Sequence, residues 1–137
     1  EGRGSLMYLV DTSVWVELLK ESEDWEKALS KLIPRAIFVS PLIITEISKW
    51  CCLNSANPHE LIHRIENVCH GVLYTTTESE IRSAQMWIAV NQSNASKGRQ
   101  VGIIDCIIAA TAEENGLTVL TKDRHFLLFE GIEKEIV

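Results

Sequence analysis

The stretch MYLVDTSVWVELL, residues 7–19, decides how the chain folds. Tyr8-Leu9-Val10 is a short apolar run that meets an acid at once. It reads as a buried strand ending at Asp11. Ser13 to Leu19 continues as a helix, with that acid near its start. Strand, carboxylate and helix thus follow one another within a dozen residues, and the same alternation recurs downstream.

Trp25 to Ile33 has helical spacing, and Pro34 stops it. Ile37-Phe38-Val39 is a second strand. Pro41 suits the first turn of a helix over 42–53, and Asn57-Pro58 opens another that runs to about Cys69. Val72-Leu73-Tyr74 is a third strand. A long helix is expected from Thr77 to about Asn94, with Thr77 and Glu80 as its capping box. Lys97-Gly98-Arg99-Gln100 is a basic loop. Asp105 to Asn115 is a helix, apolar almost all round and therefore expected to be buried, with Gly116 as its C′ residue. Leu117 to Leu120 is a fourth strand, residues 124–129 a short helical piece, and Lys134 to Val137 an edge strand. Strands alternating with helices predict an α/β domain with a mainly parallel sheet of four to five strands, covered on both faces. Such sheets bind ligands at the carboxyl ends of their strands.

With 46% hydrophobic residues, 7–137 is expected to be a single domain with a real core. Residues 1–6, EGRGSL, read as a cloning remnant, with Met7 the natural start. No apolar run approaches the roughly 20 residues that span a bilayer, and no signal-peptide pattern appears, so a cytoplasmic location is expected. Cys51, Cys52, Cys69 and Cys106 show no C-x-x-C spacing, which argues against a zinc knuckle or a redox pair. Their apolar surroundings predict buried free thiols. The net charge of −6 excludes binding nucleic acid by bulk positive charge.

The chemistry lies in the acids. Asp11 follows the first strand and Asp123 the fourth, so both belong at the carboxyl edge of the sheet. Asp105 opens the helix that leads into the fourth strand, and its start points to the same edge. Glu46 lies within Leu42-Ile43-Ile44-Thr45-Glu46-Ile47, an acid on an apolar face. Each has an ordinary alternative: helix caps for Asp11 and Asp105, a turn for Asp123, a pair with Lys49 for Glu46. Together they are four carboxylates aimed at one edge. Such a cluster repels itself unless cations neutralise it. Hard oxygen donors suit Mg²⁺ or Mn²⁺, and a carboxylate cage with cations is apparatus for phosphodiester hydrolysis.

Val10-Asp11-Thr12-Ser13-Val14-Trp15, Ile44-Thr45-Glu46-Ile47, Asp105-Cys106-Ile107-Ile108-Ala109-Ala110-Thr111-Ala112 and Leu120-Thr121-Lys122-Asp123-Arg124-His125-Phe126 resemble, in order and spacing, the four signature blocks of PIN-domain ribonucleases. The nearest resemblance is to the VapC-type toxins of bacterial toxin–antitoxin pairs. It implies a three-layer α/β/α sandwich, Mg²⁺- or Mn²⁺-dependent endoribonuclease activity, a cognate antitoxin seated on the helices between Ser13 and Leu53, and a homodimer. Matched residue by residue, Asp11, Glu46, Asp105 and Asp123 would be the metal-binding acids, and Ser13 and Thr121 the supporting polar residues. Many relatives carry a further acid where this chain has Ile103 and Ile104, which puts the number of cations in question. Arg99, Lys122 and Arg124 are the candidates for phosphate contact, with Lys97, Arg82 and Lys49 behind them. The four tryptophans are expected in the core or an interface, not as stacking platforms.

Three other readings compete. A PIN-like module could hold RNA or a partner without cutting, but it would not need all four acids. A phosphotransfer domain of the D-x-D type needs a second Asp where Ser13 stands. His59-Glu60-Leu61-Ile62-His63 fits the H-E-x-x-H pattern of zinc proteases. However, Asn57, Pro58 and Glu60 read as a cap, N1 and capping-box partner, which puts His59 and Glu60 in an exposed first turn. Downstream of His63, the metzincin positions for glycine and for the third histidine hold Glu66 and Cys69, and His70 comes one residue too late, so a helix start is the better reading.

Overall fold

The computed structural model describes residues 7–21, 23–32, 36–92 and 100–137. Among the described residues five strands alternate with six α-helices: β1 (Met7–Val10), α1 (Thr12–Glu21), α2 (Trp25–Leu32), β2 (Ala36–Val39), α3 (Pro41–Leu53), α4 (Pro58–Val68), β3 (Gly71–Val72), α5 (Thr77–Asn91), α6 (Ile103–Glu114), β4 (Thr118–Thr121) and β5 (Lys134–Ile136). A 3₁₀ helix, Arg124–Leu128, lies between β4 and β5.

Every strand pairing is parallel, and the spatial order is β3-β2-β1-β4-β5. The chain moves one way from β1 to β3, then returns across the sheet to β4. Parallel crossovers are right-handed. That rule puts α1 to α4 on one face and α5 with α6 on the other, giving the expected three layers. The order reverses between β1 and β4, so a crevice opens above their carboxyl ends.

The core follows from continuous apolar strands. Leu9, Val10, Val39, Val119 and Leu120 are buried in the sheet. Val14, Trp15, Ile43 and Ile47 cover one face, and Cys106, Ile108, Ala109 and Met86 the other. Trp15 donates its indole N–H to Val10 O at 3.0 Å, locking α1 over β1, and meets Trp25 edge-on with 6.0 Å between ring centres. Both rings are core, as expected. Cys51 and Cys106 are buried, but Cys52 is exposed at the end of α3. Cys69 is half-buried, and burial, with Glu66 adding to it, pushes its thiol up to about 12.

Several boundaries differ from the sequence expectation. The third strand is Gly71–Val72, not Val72 to Tyr74. Backbone pairing runs from His70 N on Ile37 O to Leu73 N on Val39 O and then ends, leaving Tyr74 69% exposed. The cap of α5 is one residue earlier than expected. Thr76 accepts from Ser79 N at 3.1 Å, while Ser79 Oγ accepts from Thr76 N at 2.8 Å. Glu80, the expected partner, instead accepts from Thr75. The helix also ends sooner, at Asn91. Helix α6 starts at Ile103 behind Gly102, so Asp105 lies inside the first turn and is no cap. Gly116 has φ +67, as a C′ residue should. Residues 1–6, Pro34 and the basic loop at Lys97 and Arg99 lie outside the described residues.

Candidate active site

Asp11 sits between the end of β1 and the start of α1, directly in the crevice. Only 5% of its surface is exposed. Its backbone N–H bonds Leu120 O of β4, and its own carbonyl accepts from Val14 and Trp15, the first bonds of α1. The carboxylate is therefore not spent on capping. Oδ2 accepts from Ser13 Oγ at 2.9 Å and from Thr121 Oγ1 at 2.8 Å. Two hydroxyl donors fix one oxygen and leave the other without a described partner.

The same hydroxyls bind the neighbouring loop. Ser13 Oγ accepts from Lys122 N at 2.9 Å, and Thr121 Oγ1 accepts from Asp123 N at 2.9 Å. Thr121 is fully buried as the last residue of β4. One small network thus joins residues more than a hundred positions apart and sets where Asp123 leaves the sheet. Asp123 then caps the 3₁₀ helix, accepting from His125 N at 2.9 Å.

Glu46 comes in from α3. Thr12 donates to Glu46 Oε1 at 2.6 Å, so the acid is steered to the end of β1 instead of pairing with Lys49. Thr12 is a residue that the sequence reading missed. Its place beside Asp11 in the run Asp11-Thr12-Ser13 was the available signal. Asp105 comes from the first turn of α6. Its carboxyl is pushed up to about 7 by burial first, then by Asp123, Asp11, Glu46 and a hydrogen bond with Asp123. All four predicted acids therefore converge.

The donor set fits a hard divalent cation. Ligating atoms of Asp105, Asp123 and His125 lie within 4.8 Å of one another, the one such group among the described residues. A carboxyl pushed up by burial and by neighbouring acids is what a cation would relieve. Of the cationic candidates, Lys122 and Arg124 flank Asp123 and are exposed. Arg82 is committed elsewhere, paired with Glu113 of α6 at 3.0 Å. Arg99 falls outside the described residues. His59 and His63 are exposed on α4 and join no metal-ligating group there. Asn57 caps that helix by accepting from Glu60 N at 3.2 Å, although the reciprocal bond from the Glu60 side chain is not made.

The model of the PIN domain family matches residues 8–131. The chain belongs to the PIN domain family. No curated protein matches it at a significant level, but solved structures do. This PIN domain resembles VapBC-1 of nontypeable Haemophilus influenzae with a TM-score of 0.74 at 19% identity, over 96% of this chain and 98% of the other. It resembles the DNA-bound VapBC of Salmonella typhimurium with a TM-score of 0.67 at 25% identity, over 96% and 98%. A third neighbour is VapC20 of Mycobacterium tuberculosis, a toxin described as cleaving the sarcin–ricin loop. Here the TM-score is 0.61 at 17% identity, over 82% and 86%. The PIN domains are generally nucleases, and these neighbours are toxin–antitoxin proteins.

Proposed function

We propose that this PIN domain is a metal-dependent endoribonuclease, the toxin of a toxin–antitoxin pair. The observation that carries this reading is the convergence of Asp11, Glu46, Asp105 and Asp123 above β1 and β4, where burial first and then the other three acids push the Asp105 carboxyl up to about 7. Those four carboxylates would hold Mg²⁺ or Mn²⁺. A cation bound there supplies charge to the phosphodiester undergoing attack by water. The bond from phosphorus to the 3′ oxygen breaks, leaving 5′-phosphate and 3′-hydroxyl ends.

The chain's own residues do the positioning. Ser13 and Thr121 hold Asp11 rigid, and Thr12 orients Glu46. Asp105, whose carboxyl is pushed up to about 7, would be ionised as a ligand of a bound cation. Lys122 at the mouth takes a flanking phosphate as a point charge, and Arg124 and Arg99 take theirs through the planar guanidinium fork. With an overall charge of −6, binding of RNA depends on the cation and these few residues. Support for the RNA substrate comes from the neighbour described as cleaving the sarcin–ricin loop. Support for the antitoxin comes from the neighbours solved as VapBC. The antitoxin is proposed to sit on the helices between Ser13 and Leu53, and the toxin to act as a cytoplasmic homodimer.

The test is cleavage of mixed cellular RNA in Mg²⁺ or Mn²⁺, with a chelator arm and an Asp11→Asn arm. Cutting that leaves 5′-phosphates and stops in both arms is expected. Equal activity in Asp11→Asn would sink the assignment. Co-expression of the neighbouring small gene product tests the partner: it should co-purify and block cleavage.

A further inference from the structure

The four acids do not account for His125. It sits at the second position of the 3₁₀ helix, where its backbone N–H donates to the capping Asp123 carboxylate at 2.9 Å. Its Nδ1 is 3.6 Å from Asp123 Oδ1, beyond hydrogen-bond distance, and its ring nitrogens make no hydrogen bond to a described residue. The side chain is half-buried beside the carboxyls of Asp123 and Asp105, with one ligating atom from each of the three inside 4.8 Å. Ligands on opposite sides of an octahedral ion at about 2.1 Å stand about 4.2 Å apart. A small side-chain rotation therefore closes all three on one cation.

We propose that His125 is a direct ligand of the active-site cation, so that the site is a mixed carboxylate–imidazole site. This rests on the nuclease reading and extends it, since an all-oxygen cage has no place for the ring. Imidazole is a poor donor for Mg²⁺ and a good one for first-row transition ions. His125 therefore biases the site toward Mn²⁺ over Mg²⁺. It is a specificity-determining ligand for the metal, not for the RNA.

The experiment uses the full chain with Mn²⁺ alone as probe, and no RNA. Pulsed EPR of the Mn²⁺ complex is expected to show coupling to a directly bound imidazole nitrogen. Labelling histidine with nitrogen-15 should shift it, and His125→Asn should abolish it. Calorimetry is expected to show Mn²⁺ affinity falling roughly tenfold or more in His125→Asn, while the weaker Mg²⁺ affinity stays nearly constant. His125→Gln and thermal unfolding of both variants separate a missing ligand from a damaged fold. Mn²⁺ bound at wild-type affinity in His125→Asn, without imidazole coupling in either protein, would overturn the proposal and leave the four-acid reading standing. Mn²⁺ binding that survives Asp105→Asn unchanged would overturn both, because the cation would then lie elsewhere.

Discussion

Thr121 illustrates how much one hydroxyl can organise. It donates to Asp11 Oδ2, accepts from Asp123 N, and is fully shielded from solvent. Thr121→Val keeps the shape and removes both bonds. A buried carboxylate loses a donor and a backbone N–H loses its acceptor, each costing about 1–3 kcal/mol. We expect a lower midpoint in urea and a large loss of RNA cleavage, with Thr121→Ser retaining most of both. Wild-type activity in Thr121→Val would mean that the network does not position the acids. Asp105 supplies a second test at this scale. Its carboxyl stands near 7 in the fold against 3.8 as a free group. Between those values the folded chain holds a proton that the unfolded chain has released, so stability falls as pH rises. In chelator, chemical unfolding should show full stability at the acid end and a progressive loss up to about pH 7. Asp105→Asn should flatten that slope, and saturating Mn²⁺ should reverse it. The acids were legible in the sequence because carboxylates beside apolar runs are unusual. Thr12 was not, because a threonine after a strand has many uses, and only the fold brings it within 2.6 Å of Glu46.

At the level of elements, periodicity located every helix and strand, while ends depended on contacts that no local pattern carries. Gly116 was readable as a C′ residue because only a left-handed position explains a glycine there. The cap of α5 was not, because Thr75, Thr76 and Thr77 are all plausible and the choice falls to Ser79 and to Glu114, which accepts from Thr76 Oγ1 at 2.6 Å. Strand β3 was misplaced for a similar reason: an edge strand's extent is set by its neighbour β2. Helix α4 gives the sharpest test, because its first two turns carry the H-E-x-x-H pattern. If Asn57 is a cap, Asn57→Ala should cost about 1 kcal/mol by thermal unfolding. His59→Ala and His63→Ala should leave stability, metal content and RNA cleavage alike near wild type. Stoichiometric zinc that disappears in His63→Ala would make that helix a metal site after all.

Across the whole molecule, strand order and charge decide what the site can do. The α/β class was legible from the alternation, but the order β3-β2-β1-β4-β5 was not, since pairing partners are chosen by long-range packing. That order matters because it places β1 beside β4 and so brings Asp11 to Thr121 across nearly the full chain. It also concentrates acid at one edge of a chain whose net charge is already −6. An RNA substrate would then approach against an unfavourable field, and the exposed Lys122 and Arg124 are the described cations that flank an acid of the crevice. If they hold phosphates, removing them should weaken association without altering the acids. Lys122→Ala/Arg124→Ala should raise KM with little change in kcat. Each phosphate neutralised on a single strand contributes a slope of about 0.7 in log affinity against log salt. The double variant should therefore show a flatter rise of KM with salt, by roughly that amount for each phosphate no longer neutralised. An unchanged salt slope would move phosphate binding elsewhere, to Arg99 and the basic loop before α6.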